Sequence, residues 1–167
     1  MYTLLFLNQM TQAEFVAAVG GAFEETPTVA ATAWQQRPFA TIESLHWAMM
    51  KVVQGFSSEQ QIALIRSHPS LGAKVKMAAA SVSEQAGAGL DRLNPRDYAL
   101  FQQLNHDYEQ RFGFPFVLAV KGHTTQTILA AFQSRLQNTM EAEQQQALLE
   151  IAKISLFRLT DWIQAPE

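Results

Sequence analysis

Apolar residues recur at intervals of three and four along almost the whole chain, the period of helices that bury one face. Thr11-x-x-Glu14 reads as a capping box, and Phe15, Val19 and Phe23 follow it at spacings of four. A short segment from about Val29 to Trp34 stops before Arg37-Pro38-Phe39. The most regular run is Ile42, Leu45, Met49, Val52 and Phe56. Ser58-x-x-Gln61 predicts the next helix start, with Ile62 and Ile65 inward, and Pro69 closes that helix. After the looser "SLGAKVKMAAA", a further helix is expected near Ser81. Asn94-Pro95 pairs a capping side chain with a first-turn proline, and Tyr98, Phe101, Tyr108 and Phe112 then fall close to one face.

The stretch "GFPFVLAVKG" interrupts the pattern; its glycines and proline favour an extended connector over a strand. From Thr124 onward Ile128, Phe132 and Leu136 restore helical spacing. The last helix, roughly Glu141 to Ile163, is apolar on more than one side, as expected of a helix buried in a bundle. No alternation of strands with helices, internal repeat or linker is visible. The pattern predicts an all-α, single-domain helical bundle over residues 1–167. Such a bundle says nothing about function by itself.

Composition narrows the chemistry. With 48% hydrophobic residues in 167, the chain can bury a core without staples. The formal net charge is −3, from 12 basic and 15 acidic residues, so no phosphate-neutralising surface is advertised and no nucleic-acid partner is expected. The absence of cysteine removes disulfides, thiolate metal sites and thioester chemistry. The start, "MYTLLFLNQM", lacks the basic region of a signal peptide, and no apolar run reaches the ~20 residues of a membrane span. A cytoplasmic protein is expected.

Few residues are candidates for chemistry. Glu43-x-x-His46 has the spacing of one half of a carboxylate-bridged di-metal site, and His106-x-x-Glu109 reverses it. The matched second motif is missing, so no metal is expected. There is no Gly-x-Ser-x-Gly elbow, and "GAGLDRLNP" lacks the strand and lysine of a phosphate loop. His68-Pro69 is more telling, because the residue before a proline is pushed out of helical geometry. His68 should therefore sit at a helix end, which suits a chemical role and an ordinary helix stop alike. Ser81-x-x-Glu84 is either a capping box or, with Gln85, a polar first turn whose backbone amides attract a small polar ligand. Arg158 follows Ile151 and Ile154 and precedes Trp162 on an otherwise apolar face. A protein carboxylate, a ligand's anion or a reach outward to water could each satisfy its guanidinium.

Taken together, "HPSLGAK", "SVSEQAGAGL", "LNHDYEQRFGFPFVLAVKG" and "ISLFRL" resemble the OHCU decarboxylase family. OHCU is 2-oxo-4-hydroxy-4-carboxy-5-ureidoimidazoline, the last intermediate between urate and allantoin. The likeness covers nearly the whole chain. It implies an all-helical, usually homodimeric carboxy-lyase without a cofactor. His68 matches the family's catalytic histidine and Pro69 the proline beside it. Ser81, Glu84 and Gln85 match its Ser-x-x-Glu-Gln substrate-binding run, with Glu84 expected to orient the substrate and poise His68. The backbone of Phe116, Val117, Leu118, Ala119 and Val120 matches the segment that hydrogen-bonds the substrate's ureido and ring amides, and Arg158 an arginine that contacts the ligand. Ser70 stands where the family commonly has aspartate.

The reaction so implied fits a chain without an obvious cofactor site. Decarboxylation leaves an electron pair that many enzymes pass to a bound cofactor. In OHCU the carboxylated carbon neighbours a ring C=N bond, so the substrate carries its own sink. The protein need only orient the carboxylate, stabilise charge and direct one proton. A different class of reading, a non-catalytic helical module binding a purine-derived ligand, predicts loss of the histidine or of Glu84; both are present.

Overall fold

A computed structural model describes residues 1–72 and 79–164. They form nine α-helices, and among these residues the only β pairing is an isolated parallel bridge between Tyr2 and Ile163. The all-α expectation holds. The chain divides into two compact units: Met1–Ser67 with the chain from Ala152 onward, and His68–Ile151.

The first unit holds α1 (Leu4–Gln9), α2 (Gln12–Val19), α3 (Thr28–Ala33), α4 (Ile42–Gln54) and α5 (Ser58–Arg66). It also takes residues 152–162 of α9 (Met140–Trp162). Reciprocal capping boxes start three of these helices, Thr11 with Glu14, Thr41 with Ser44, and Ser57 with Gln60. The α5 cap is therefore Ser57, one residue before the serine that the sequence pattern suggested. Phe15, Val19, Val29, Leu45, Met49 and Ile65 are fully buried. In α4 the buried set ends on Val53, four residues after Met49, while Val52 is only partly covered. Phe23 is buried beyond the end of α2, after a turn of 3-10 helix at Gly20–Ala22.

Arg37-Pro38-Phe39 is a clamp. The Arg37 guanidinium lies 3.9 Å from the Trp34 ring centroid and donates to the carbonyls of Asn8 (2.7 Å) and Met10 (3.0 Å). These carbonyls at the C-terminal end of α1 have no helical partner and carry its negative dipole end, so a cation suits them. The Asn8 amide in turn bonds both backbone groups of Phe39.

The second unit holds α6 (Ala79–Gly87), α7 (Pro95–Phe112), α8 (Thr125–Arg135) and residues 140–151 of α9. Asn94 caps α7 ahead of Pro95, and Gly113 ends it with φ +73°, a left-handed conformation that glycine adopts without strain. Thr124 caps α8. Phe101, Tyr108, Phe112, Phe114, Phe116 and Phe132 are buried together, with Phe116 stacked on Phe132 at 3.7 Å between centroids. Each such aromatic pair contributes about 0.5–1.5 kcal/mol beyond its area burial. Residues 115–120 between α7 and α8 are neither helix nor strand, yet all are buried. At the end of α8 it is Arg135 that is buried, while Leu136 occupies the C-cap and is partly exposed.

Candidate active site

Helix α5 ends at Arg66, with Ser67 at its C-cap, so His68 lies two residues beyond the helix. It is buried, 6% exposed. Three side-chain bonds hold the backbone that follows. Ser70 Oγ donates to Glu109 Oε1 at 2.7 Å, Asn105 Nδ2 donates to the Leu71 carbonyl at 2.8 Å, and Gly72 N–H donates to Gln85 Oε1 at 2.9 Å. Gly72 has φ +68°, and a Cβ there would lie 3.1 Å from the Leu93 side chain, so both conformation and space require glycine. The loop carrying His68 is thus pinned to α7 by two side chains one helical turn apart, and to α6 by a third.

Helix α6 begins at Ala79, so Ser81 is its third residue and not its cap. Glu84 and Gln85 fall in the second turn. The capping-box reading of Ser81-x-x-Glu84 is thereby overturned, since an N-cap residue must lie outside the helix. Ser81 and Gln85, four apart, are both buried, and Glu84 beside them is partly exposed. The Oε1 of Gln85 is engaged by Gly72, which makes this side chain a brace for the histidine loop.

Phe116 to Val120 are buried throughout. Arg135 Nη1 donates to the Val117 carbonyl at 2.6 Å, and the Ala119 N–H donates to Glu150 Oε2 at 2.9 Å. The Val120 carbonyl accepts from His123 N–H at 2.9 Å. Among the described residues, the backbone groups of Phe116 and Leu118 make no hydrogen bond. Buried amide groups in that condition are costly unless something else satisfies them.

Behind this segment, Arg135 pairs with Glu143 through Nη2–Oε2 at 2.8 Å and Nε–Oε2 at 3.0 Å. Glu143 also accepts from the Tyr108 hydroxyl and, at 2.8 Å, from Asn138 Nδ2. Burial, followed by the carboxylate of Glu143, pushes the Tyr108 phenol well above its ordinary pKa, so it stays a donor.

Arg158 belongs to the first unit. It is 3% exposed, which rules out a reach outward to water, and Nη1 donates to Glu24 Oε2 at 2.8 Å and to the Gly21 carbonyl at 3.1 Å. The two metal-like pairs are engaged elsewhere. His46 Nε2 bonds Ser155 Oγ at 3.0 Å, Glu43 is exposed, and Glu109 accepts from Ser70. Among the described residues no three His, Asp or Glu side chains cluster as metal ligands would. No helix there is long and apolar enough to cross a membrane.

The model of the OHCU decarboxylase family matches residues 8–160. This chain belongs to that family. A 2-oxo-4-hydroxy-4-carboxy-5-ureidoimidazoline decarboxylase of Halalkalicoccus jeotgali is 44% identical over 155 residues, 93% of this chain and 88% of that protein. The uric acid degradation bifunctional protein PucL of Bacillus subtilis is also 44% identical, over 98% of this chain but 33% of its own length. The crystal structure of an (S)-allantoin synthase superposes with a TM-score of 0.80 at 30% identity, covering 96% of this chain and 54% of that one.

As an OHCU decarboxylase family member, the chain accommodates its departure at Ser70 locally. A serine hydroxyl can donate to Glu109, whereas an aspartate would set one carboxylate against another. Asn105, Arg135, Glu143 and Glu150 were not singled out from sequence, and Glu109 only as half of a metal-like pair. Asn105 carries a usable signal: it stands between Phe101 and Tyr108 at spacings of four and three, a polar residue in an apolar phase.

Proposed function

We propose that this chain decarboxylates OHCU to (S)-allantoin without a cofactor, with His68 as the proton-handling group. The reading is carried by family membership over residues 8–160 in a chain that keeps His68 on a buried, three-point-braced loop. Cleavage of the C–CO2 bond sends its electron pair into the neighbouring ring C=N, whose nitrogen takes up one proton as the ene-type intermediate forms. The hydroxyl on the decarboxylated carbon then becomes a carbonyl as its proton leaves, and one proton is added to the adjacent ring carbon. The sum is one carboxylate and one proton converted to product and CO2. A histidine can serve both transfers, because imidazole accepts and donates near neutral pH. Its position on one side of the substrate would fix the enantiomer.

The same family reading assigns Glu84 to orienting the substrate and poising His68. It assigns Pro69, Ser81, Gln85, the backbone of residues 116–120 and Arg158 to substrate binding, as positioning groups rather than bond-makers. The ion pair with Glu24 gives the Arg158 guanidinium a fixed place in the first unit. Residues 1–167 would work as one OHCU decarboxylase-like domain, in a cytoplasmic homodimer.

OHCU generated freshly from urate, with its decay followed with and without the protein, tests this reading. Accelerated decay yielding one allantoin enantiomer, unchanged after dialysis against chelator, is the expected result. Decay at the spontaneous rate would overturn the proposal in favour of a binding module.

A further inference from the structure

The segment 116–120 is held by side chains that the reaction itself does not use. We propose that Glu150 and Arg135 are positioning residues that fix which backbone groups of residues 116–120 are offered to the ligand. This rests on the reading above that the segment binds substrate. Arg135 takes the Val117 carbonyl and Glu150 takes the Ala119 N–H. Holding the Val117 carbonyl and the Ala119 N–H therefore takes these two groups for the protein and leaves the backbone groups of Phe116 and Leu118 for the ligand. Both clamps are buried and each is bonded to a further side chain. Arg135 is 7% exposed, bonded on a second side by Glu143, and its guanidinium carbon lies 4.4 Å from the Phe116 ring centroid. Glu150 is 4% exposed, and its other oxygen accepts from Gln146 Nε2 at 2.9 Å. Loss of either clamp would let the segment turn or slip, which would present the wrong groups.

Glu150 is the better target, since its removal leaves the Arg135–Glu143 pair intact. E150M deletes the acceptor at similar volume, and E150Q keeps an amide oxygen for the Ala119 N–H. In folded protein, E150M should raise KM for OHCU about tenfold with kcat changed far less, because the lost contact lies in ground-state and transition-state binding alike. E150Q should restore KM to near the wild-type value. A purely structural role would lower the melting temperature of E150M and leave KM of the folded protein unmoved, and that result overturns the proposal. So would an E150Q protein as impaired as E150M.

Should E150M not fold, amide hydrogen exchange on the wild-type protein decides. Added (S)-allantoin should slow exchange at Leu118 and leave the already bonded Ala119 amide unchanged. Protection appearing at Ala119 and not at Leu118 would overturn the assignment of these groups. A wild-type protein that neither accelerates OHCU decay nor gains protection from allantoin overturns the functional reading and this inference with it. Normal wild-type turnover with an unmoved KM in E150M overturns only the inference.

Discussion

Arg158 in the first unit and Arg135 in the second are both buried and both paired with a glutamate at 2.8 Å, yet they hold different kinds of backbone. Arg158 reaches the carbonyl of Gly21 in a short helical turn. Arg135 reaches Val117 in a stretch that has left helical geometry altogether. Many other polar bonds in the first unit serve helix caps, as at Thr11, Thr41 and Ser57, where a helix would be satisfied by water if the side chain were absent. In the second unit Gln85, Asn105, Arg135 and Glu150 bond buried backbone that water does not reach. Non-helical buried backbone has to be satisfied one group at a time. In the second unit the stretches treated this way are those that carry His68 and residues 116–120; in the first, Asn8 holds Phe39 likewise.

Removal of the glutamates should produce the largest effects. Glu143→Leu strands Arg135 and Glu24→Leu deprives Arg158 of a carboxylate, and each should cost about 3–5 kcal/mol in urea denaturation, as broken buried pairs do. A loss below about 1 kcal/mol at either site would contradict the view that the guanidinium depends on that partner.

A smaller effect separates the units by pH. Burial pushes His46 below its ordinary value of 6.5, partly offset by a hydrogen bond with the backbone of Ala152. The folded chain then keeps the ring neutral where the unfolded chain takes up a proton. Its contribution is complete above 6.5 and is lost as pH falls below that value toward the depressed folded value. The fall in melting temperature between about pH 7.5 and about pH 5.5 should be smaller in His46→Gln than in wild type. Equal falls in the two proteins would remove His46 from the account.

The smallest change lies on the histidine loop. Ser70→Asp places a carboxylate against Glu109, and because the contact is exposed the cost should be at most about 1 kcal/mol. Adding Glu109→Gln should recover it. Stability of Ser70→Asp equal to wild type, with no gain in the double variant, would show that the Ser70–Glu109 bond does not brace the loop.

The first unit was the more legible in the sequence. Its capping boxes and apolar spacing are local signals, and the errors were of one residue at Ser57 and one phase step at Val53. The non-helical stretch at 115–120 was also legible, because Pro115 and the flanking Gly113 and Gly122 interrupt the helical period. The start of α6 was missed: Ser81-x-x-Glu84 has the form of a cap, but Ala79 and Ala80 before it are already helical. The charges behind the site were missed for another reason. Glu143, Ala147, Glu150, Ile154 and Arg158 share one spacing of three and four along α9. The rule that drew attention to Arg158 applies equally to the two glutamates. Their partners, Arg135 on another helix and Ala119 in the connector, depend on tertiary contacts that no local pattern encodes.

The central claim is that a buried histidine on a braced loop moves the proton in OHCU decarboxylation. The most direct measurement is single-turnover decay of freshly generated OHCU with His68→Asn, alongside a melting curve that establishes the fold. Loss of a general acid–base group predicts a rate about 10²–10⁴-fold below wild type in protein that melts normally. Near wild-type turnover in the folded variant would contradict the claim.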